Sequence, residues 1–340
     1  MNLLIGPFLI FLVSLILTGL IRKYALKRSI IDIPNERSSH TSPTPRGGGA
    51  SIVILINLTI IYCYFVEYLS LGVVLALAGG TIFVAIVGWL DDHKHIPAAI
   101  RAAAYALAAV WALFWLNFEC DPNLKSYSIY YSLFSIPITV VSIVWLTNLY
   151  NFMDGTDALA AMESISVSLF TCFLFWIEKE QGMMLISLAI FFSSCGFLYW
   201  NWPPAKIFMG DVGSCSLGFC FGVLAMISYL VSQVPITIWI ILLAIFIFDA
   251  SYTLIMRIIM KEKWYKAHKM HAYQRLVYLG MSHKKLVSIV STINILLLWP
   301  LAWFVYKNRE MALYILFFTA FLMFVIWAKI QNHYYRASKK

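Results

Sequence analysis

Charged residues are scarce in this chain of 340 residues. Asp, Glu, Lys and Arg make up 12% of it, about half the share of a typical soluble domain, while 61% of the residues are hydrophobic. The six cysteines are scattered without a CxxC pair, which argues against a disulfide framework or a zinc site. The sequence also lacks a Walker A motif and internal repeats. It has instead a series of long apolar runs, which predicts a polytopic membrane protein.

Eleven apolar runs are each close to the roughly 20 residues that a helix needs to cross the hydrocarbon core. The predicted spans are 3–21, 51–68, 71–90, 98–116, 129–147, 159–177, 182–199, 214–231, 235–256, 286–306 and 311–328. Basic residues follow the first run and none leads it, so we interpret it as a retained span rather than a signal peptide. The predicted fold class is an all-α polytopic integral membrane protein, organised as a single domain over residues 1–340.

Lys and Arg are distributed unevenly between the loops. With the N-terminus outside, 21 of the 25 basic residues lie on the cytoplasmic side. This asymmetry predicts a periplasmic N-terminus, a cytoplasmic C-terminus and an odd number of spans, in a multi-pass protein of the bacterial cytoplasmic (inner) membrane. Topology also accounts for the net charge of +9. We therefore expect the lipid bilayer, and no nucleic acid, as the partner of the basic loops.

The unusual polar sequence is confined to the predicted cytoplasmic loops 22–50, 91–101, 147–158, 200–213 and 257–285. The most concentrated stretch, NLYNFMDGTDALA, runs from Asn148 to Ala160. If a helix continues through it, Asn148, Asn151, Asp154 and Asp157 share one stripe, because they are spaced three apart. An oxygen-rich cluster of this kind suits Mg²⁺ or the polar face of a nucleotide.

A pair of adjacent carboxylates, Asp91 and Asp92, ends the third predicted span. Acidic groups this close to a bilayer tend to be functional. They can bind a metal–phosphate group or act as a base. Arg101 lies at the start of the next span, where a cation can meet a phosphate.

The loop before the eighth predicted span carries a third carboxylate, Asp211, between Gly210 and Gly213. The two glycines predict a tight turn at this carboxylate. Phe208 lies three residues earlier and is suited to stacking on a base, and Lys206 can face phosphate.

Glycine and basic residues suggest phosphate binding in the first cytoplasmic loop. Arg46 precedes Gly47 and Gly48 there, and Gly-rich loops beside a cation often hold phosphate. A flexible turn at the membrane entry fits the same residues equally well.

The last cytoplasmic loop carries His268, His271 and Arg275. On one helical face they would present two imidazoles and a guanidinium to a diphosphate. Part of this basic loop also suits anionic lipid.

Together the loops favour metal-assisted phosphoryl transfer at the cytoplasmic membrane surface. A membrane transporter is the alternative class, since transporters carry intramembrane acids. The polar residues cluster at one face rather than at mid-span, which argues against transport. Asp249 is the main ionisable residue deep within a predicted span, and its role stays open.

The chain resembles the polyprenyl-phosphate N-acetylhexosamine-1-phosphate transferases of glycosyl transferase family 4, which include the phospho-MurNAc-pentapeptide transferases. The shared landmarks are the Pro43–Gly49 loop, Asp91-Asp92, NLYNFMDGTDALA, PAKIFMGDVGS and the His-x-x-His loop. The resemblance implies attack by undecaprenyl phosphate on a UDP-linked N-acetylated sugar, with Mg²⁺ required and Mn²⁺ as an alternative. The products are undecaprenyl-diphospho-sugar and UMP. A homodimer is an open alternative to a monomer.

The resemblance also assigns roles to residues. The catalytic positions are Asp91, Asp92, Asp154, His268 and His271; the metal ligands are Asn151 and Asp211; the substrate-binding positions are Arg46, Gly47, Gly48, Arg101, Gly155, Asp157, Phe208 and Arg275. Asp91 matches the carboxylate that acts as a base or positions the lipid phosphate, and Gly155, Asp157 and Phe208 match the uridine pocket.

Two departures from the family pattern bear on the substrate. Ala158 replaces the usual glycine after Asp157. The loop HKMHAYQR lacks the triple histidine of the peptidoglycan branch. The chain therefore looks most like the branch that starts O-antigen or other surface-polysaccharide synthesis, with UDP-GlcNAc or a 6-deoxy sugar such as FucNAc or QuiNAc as donor. The phospho-MurNAc-pentapeptide transferase remains the alternative.

Overall fold

The computed structural model of the chain describes residues 5–34, 42–94, 96–119, 128–232, 234–262 and 268–338, which are almost entirely helical. The helices are α1 Ile5–Lys27, α2 Ala50–Phe65, α3 Leu71–Val74, α4 Gly80–His93, α5 Ala98–Glu119, α6 Ser128–Met153, α7 Leu159–Ile177, α8 Gln181–Asn201, α9 Asp211–Ser232, α10 Ile236–Leu242, α11 Ala244–Ile259, α12 Ala272–Tyr278, α13 His283–Ile293, α14 Trp299–Lys307 and α15 Ala312–Ala337. The π-helical turns Leu75–Gly79 and Asn294–Leu298 join α3 to α4 and α13 to α14.

Every predicted span is helical over most of its described length, which confirms the all-α polytopic class. Nine helices of the described chain are long and apolar enough to cross a membrane, counting helices joined by a π-helical turn as one. The other two predicted spans differ. The helix α2 has only 16 residues. The run predicted as one span over 235–256 is bent by 80° between α10 and α11, because Leu243 leaves the helical conformation with φ −96° and ψ 13°.

Small residues let the helix backbones approach each other closely. A Cβ atom on Gly218 of α9 would lie 2.6 Å from the carbonyl oxygen of Leu146 in α6. A Cβ atom on Gly196 of α8 would lie 2.6 Å from the carbonyl oxygen of Phe11 in α1. Close packing of this kind replaces the hydrophobic drive that is missing between helices in lipid. The helix α9 is buried along most of its length, and it packs between α4 and α6.

The polar helix ends gather at one face of the bundle. The helices α4, α6 and α8 end there and α5, α7 and α9 begin there, as the contacts of the site below require.

The helix α1 runs parallel to α8, since Ser14 Oγ donates to the carbonyl of Ser193 and Arg22 Nε to that of Lys206. Gln331 Nε2 of α15 reaches the carbonyl of Met270 at the same face. The described start and end of the chain thus lie at opposite faces, as an odd number of crossings requires. The assignment of the site face to the cytoplasm stays a prediction from the basic residues.

A short antiparallel pairing, which the sequence did not predict, organises the first loop. Strand β1, Ile31–Asp32, pairs with β2, Thr44–Pro45, with Ile31 opposite Pro45. The pairing places the glycines that precede α2 against the site face. Residues 35–41 of this loop and 263–267 of the last cytoplasmic loop lie outside the described ranges.

Candidate active site

One nitrogen atom of Arg101 bridges two carboxylates that are far apart in the sequence. Arg101 Nη1 lies 2.6 Å from Asp91 Oδ2 and 2.7 Å from Asp211 Oδ2. Asp91 comes from the end of α4, Arg101 from the first turn of α5, and Asp211 from the start of α9. The three side chains are at most 18% exposed, so the charges lie in a partly desolvated site. Asp91 Oδ1 also accepts the backbone N–H of Ile96 at 2.6 Å.

Asn151, near the end of α6, adds a fourth member to this group. Its amide nitrogen lies 2.9 Å from Asp211 Oδ1 and 3.0 Å from Ser214 Oγ. The structure therefore brings together Asp91, Arg101, Asn151 and Asp211, as the sequence analysis predicted. In the structure itself, Arg101 serves the two carboxylates rather than a diphosphate.

Asp92 has a different position from its neighbour Asp91. Its Oδ1 and Oδ2 accept the backbone N–H groups of Asp211 and Val212, each at 3.2 Å, so it caps the start of α9. Arg46 donates to the backbone carbonyl of Asp92 through Nε and Nη2, at 3.1 and 2.7 Å. Asp92 is only 3% exposed. It thus holds Asp211 in place from within the fold.

The glycine-rich loop before α2 packs against the loop that precedes α9. Gly48 N–H donates to the carbonyl of Phe208 at 2.9 Å, Gly49 N–H to that of Met209 at 2.8 Å, and Phe208 N–H to that of Pro45 at 2.8 Å. The prediction that this loop offers its N–H groups to phosphate was therefore wrong for Gly48, because that N–H is already paired within the protein. The glycines serve close packing instead, and a Cβ on Gly49 would lie 2.5 Å from the Cα of Gly213.

The turn after α6 departs from the predicted polar stripe. The helix ends at Met153, so the i, i+3 spacing does not continue to Asp154 and Asp157. Asn148 turns back instead and donates to the carbonyl of Val144 at 2.7 Å. The pKa of Asp154 lies well above its ordinary value because the group is buried and because the carboxylates of Asp211, Asp92 and Asp157 surround it. This concentration of acidic groups suits a cation.

Asp157 connects three segments at the other side of this turn. Its Oδ2 accepts the backbone N–H of Ala205 at 3.1 Å, and His283 Nδ1 lies 3.2 Å from the same oxygen. His283 is the first residue of α13. Sequence reasoning missed this histidine, since it stands outside every recognisable motif. One signal was available, because the hydroxyl of Ser282 accepts Lys285 N–H and caps a helix. This cap places His283 at the start of that helix.

Ala158 now has a physical explanation. Its φ of 64° and ψ of −12° lie in the left-handed region, which glycine adopts without strain. Its N–H donates to Asn201 Oδ1 at 2.8 Å, and Asn201 Nδ2 donates to the carbonyl of Ile207 at 2.9 Å. The turn that requires this conformation links the start of α7 to the end of α8. A glycine is favoured here by the backbone and not by a nucleotide.

Gly155 is required by a protein contact. A Cβ atom on it would overlap the hydroxyl of Tyr273. That hydroxyl donates to the carbonyl of Phe152 at 2.8 Å. Burial, together with the nearby carboxylates of Asp249 and Asp154, raises the pKa of Tyr273, so it stays a neutral donor. Tyr273 thereby ties the turn after α6 to α12.

The histidine loop does not form the single helical face that we predicted. The helix α12 begins only at Ala272, so His268 and His271 precede it, although their rings lie 4.8 Å apart. Burial and the positive charges of His271 and Arg257 lower the pKa of His268 to about 3. Its Nδ1 accepts Met270 N–H at 3.2 Å. A neutral His268 therefore has its proton on Nε2, as a donor.

Arg275 lies on the far side of α12, against the end of α15. Its guanidinium is 4.5 Å from the ring centroid of Tyr334 and 4.6 Å from that of Tyr335, whose hydroxyl accepts Nη2–H at 3.2 Å. Arg275 is 3% exposed, and its Nε and Nη1 have no hydrogen-bond acceptor within the described ranges. The prediction that it shares a face with the two histidines was wrong, because α12 turns it towards α15.

Asp249, whose role the sequence left open, caps α12. Its Oδ1 accepts Ala272 N–H at 2.8 Å and its Oδ2 accepts Tyr273 N–H at 3.4 Å. His271 Nδ1 lies 3.8 Å from Oδ1. The carboxylate thus holds the histidine loop against α11.

Known proteins resemble this chain over most of its length. The family model for glycosyl transferase family 4 matches residues 70–229, which contain Asp91, Arg101, Asn151 and Asp211. A probable undecaprenyl-phosphate N-acetylglucosaminyl 1-phosphate transferase of Bacillus subtilis is 29% identical over 323 residues, 93% of this chain and 88% of its own length. The matches support glycosyl transferase family 4 as the family of this chain.

Other relatives in the family differ in how much of the chain they match. A decaprenyl-phosphate N-acetylglucosaminephosphotransferase of Mycolicibacterium smegmatis is 25% identical over 80% of this chain and 75% of its own. A phospho-N-acetylmuramoyl-pentapeptide-transferase of Streptococcus pneumoniae is 30% identical, but over 56% of this chain and 60% of its own. The resemblance drawn from the motifs is confirmed at the level of the family.

The donor chemistry of the family 4 site fits Mg²⁺. Among the described residues, no group of three or more His, Cys, Asp or Glu side chains is arranged to hold a metal alone. A Mg²⁺ ion that also binds substrate phosphates needs only one or two protein ligands, and Asp211 and Asn151 supply a carboxylate and an amide side by side. A 180° rotation of the Asn151 amide would place its oxygen beside Asp211 Oδ1. Two acceptors would then face each other, an arrangement that a cation between them satisfies.

Replacement of Arg101 tests the bridge between the two carboxylates. We expect Arg101→Gln to lower activity at least about 100-fold, because it leaves two poorly solvated carboxylates without their counter-charge. Arg101→Lys should restore part of the loss, since both carboxylates contact a single nitrogen atom. The measurement is UMP release by purified protein, with Arg309→Gln, an exposed arginine beyond the site, as control. Equal activity of wild type and Arg101→Gln would contradict the assignment.

Replacement of Ala158 tests the left-handed turn. Ala158→Gly should keep activity within about twofold and leave stability unchanged or slightly higher, because glycine removes about 1–2 kcal/mol of strain but costs about 0.5–1 kcal/mol of entropy. Ala158→Val should lower the unfolding temperature, since a β-branched residue is strained at positive φ. Thermal unfolding in detergent measures both. A stabilising valine would show that the turn is not strained.

Proposed function

We propose that the chain transfers an N-acetylated hexosamine-1-phosphate from a UDP-sugar to undecaprenyl phosphate, giving undecaprenyl-diphospho-sugar and UMP. The observation that carries the proposal is the group Asp91–Arg101–Asp211–Asn151 at one membrane face of a family 4 enzyme. The relative in Bacillus subtilis that matches 93% of the chain carries a name for this kind of reaction. The transfer takes place where a lipid phosphate and a soluble nucleotide can meet.

The reaction exchanges one phosphorus–oxygen bond for another. An oxygen of the lipid phosphate attacks the phosphorus atom that carries the sugar, and the bond from that phosphorus to the UMP oxygen breaks. The lipid phosphate has a second pKa of about 6 and is already largely ionised near neutral pH. A base is therefore not required. Asp91, whose two oxygens accept from Ile96 and Arg101, serves as a positioning group for the guanidinium.

The protein must offset the negative charge of the lipid phosphate and of the diphosphate linkage in the UDP-sugar. Arg101 contributes one positive charge between Asp91 and Asp211. Bound Mg²⁺, or Mn²⁺ with similar ligand preferences, would be held by Asp211 and Asn151 and would neutralise charge on the transferred phosphoryl group. Asp154, whose pKa is raised by desolvation and then by its acidic neighbours, adjoins the same charges.

Asp157 suits the uridine end of the donor. Its Oδ2 is occupied by Ala205 N–H and by His283, while its Oδ1 accepts no hydrogen bond within the described ranges. The N3–H group of uracil is a donor, whereas N3 of cytosine is an acceptor. Because Oδ1 can accept a hydrogen bond from this N–H group, the carboxylate favours uracil. Phe208, half-buried in the adjoining loop, is placed to stack on a base.

The sugar is proposed as GlcNAc or a 6-deoxy relative such as FucNAc or QuiNAc, for O-antigen or another surface polysaccharide at the cytoplasmic face of the inner membrane. Two observations support this choice over peptidoglycan synthesis. The loop HKMHAYQR lacks a triple histidine run. The pentapeptide transferases match only part of the chain, 54% to 66%, against 93% for the relative in Bacillus subtilis.

A substrate panel tests the proposal. Purified protein with undecaprenyl phosphate should form a lipid product and UMP from at least one UDP-N-acetylated sugar, detected by mass, and only with Mg²⁺ or Mn²⁺. CDP-linked sugars should be inactive. In sealed vesicles, an externally added UDP-sugar should react only when the cytoplasmic face is outside, because the nucleotide does not cross the bilayer. Product from UDP-MurNAc-pentapeptide alone would establish the peptidoglycan alternative, and no product at all would refute the proposed function.

The metal assignment makes a separate prediction. Asp211→Asn should abolish Mg²⁺-dependent UMP release, because it removes the only carboxylate of the proposed ligand pair, while the protein still inserts into the membrane. Insertion is checked by detergent extraction and gel filtration. Glu310→Gln, an exposed acidic residue outside the site, is the matched control. Full activity of Asp211→Asn would remove Asp211 as a metal ligand.

A further inference from the structure

His283 is half-buried beside Asp157 without belonging to any motif of the sequence. It begins α13, and its Nδ1 lies 3.2 Å from Asp157 Oδ2. The side chains are 14% and 10% exposed. The two residues are 126 positions apart in the sequence. Their contact joins the turn before α7 to the turn before α13.

The chemistry of the contact determines which ring nitrogen carries the proton. An ionised carboxylate can only accept hydrogen bonds, so the 3.2 Å contact with Asp157 Oδ2 is attractive when His283 Nδ1 carries the proton. The backbone N–H of Ala205, in the loop before α9, donates to the same oxygen. The backbone of Ala205 and the imidazole of His283, from two different segments, therefore both contact Asp157 Oδ2.

The start of α13 cannot slide along α7, because further polar pairs join these spans down their length. Each pair has one member on α7 or at its end and the other on the segment from Asn294 to Tyr306. The pairs are Glu163 Oε2 with Asn294 Nδ2 at 2.7 Å, Ser166 Oγ with Trp299 Nε1 at 3.1 Å, and Glu178 Oε1 with Tyr306 Oη at 2.7 Å. Hydrogen bonds between spanning helices fix their register. The position of His283 beside Asp157 is thus set by the whole length of the two spans.

We propose that His283 is a positioning residue: its Nδ1–H orients the Asp157 carboxylate so that the free oxygen meets the nucleobase of the UDP-sugar. The inference rests on the proposed function, because it takes Asp157 as the contact of the uracil. His283 contacts the carboxylate and not the reacting phosphates. Its loss therefore weakens binding of the nucleotide and leaves the chemical step nearly unchanged.

Three substitutions separate this role from a merely structural one. His283→Ala removes the donor. His283→Asn keeps an N–H near the position of Nδ1, and His283→Gln places it near that of Nε2. A hydrogen bond to a charged group predicts that His283→Ala raises KM for the UDP-sugar at least about tenfold. We expect kcat to stay within about threefold and KM for undecaprenyl phosphate to be unchanged. His283→Asn should return KM to within about threefold of wild type, whereas His283→Gln should not.

A binding measurement completes the test. Equilibrium binding of UMP to each detergent-solubilised variant should weaken in parallel with KM. His333→Ala, which changes an exposed histidine of α15, serves as the matched control. If His283→Ala does not fold, the comparison of His283→Asn with His283→Gln carries the test.

The outcomes separate this inference from the proposed function. A wild-type protein without turnover on any UDP-sugar refutes the function. An active wild type whose His283 variants keep normal KM and UMP affinity refutes the inference alone. A fall in kcat and thermal stability without a change in KM, or equal defects in His283→Asn and His283→Gln, shows a structural tie and also overturns the inference.

Discussion

The two hydrogen bonds that Asp92 accepts from the start of α9 are the constraint on which the site depends. They fix the end of α4 to the N–H groups of Asp211 and Val212. Because Asp91 immediately precedes Asp92 on α4, the same cap brings its carboxylate towards that of Asp211. Arg101 then bridges the two. The cap formed by Asp92 thereby brings the carboxylates of Asp91 and Asp211 to Arg101, so the two adjacent acids of the motif have different tasks.

Much of the fold could be predicted because a bilayer limits the choices. Backbone polar groups in lipid must pair within a helix, so each apolar run of sufficient length gave a helix in the structure. The bend at Leu243 could not be predicted in this way. Its surroundings contain no glycine or proline, and hydropathy does not report the direction of a helix. The sidedness that the basic residues predict requires that α10 and α11 together cross the membrane once.

The membership of the site was predictable where residue type and sequence spacing suffice, as for Asp91, Asn151 and Asp211. The division of labour was not. The N–H of Gly48 donates to the carbonyl of Phe208, and α12 directs Arg275 towards two tyrosines of α15. Such assignments depend on which loop lies against which, a tertiary property. The left-handed backbone of Ala158 is likewise invisible when the residue is not glycine.

The polar residues buried in the spans are best understood as ties between helices. Glu163 pairs with Asn294, and Asp249 accepts N–H groups at the start of α12. Their partners lie within the protein, whereas transport needs groups that exchange partners with a moving ion or solute. An acid in a spanning helix therefore does not by itself indicate a transport path. Here the buried acids fix the positions of Tyr273 and His283. The interior of the helix bundle therefore determines the geometry of the polar face.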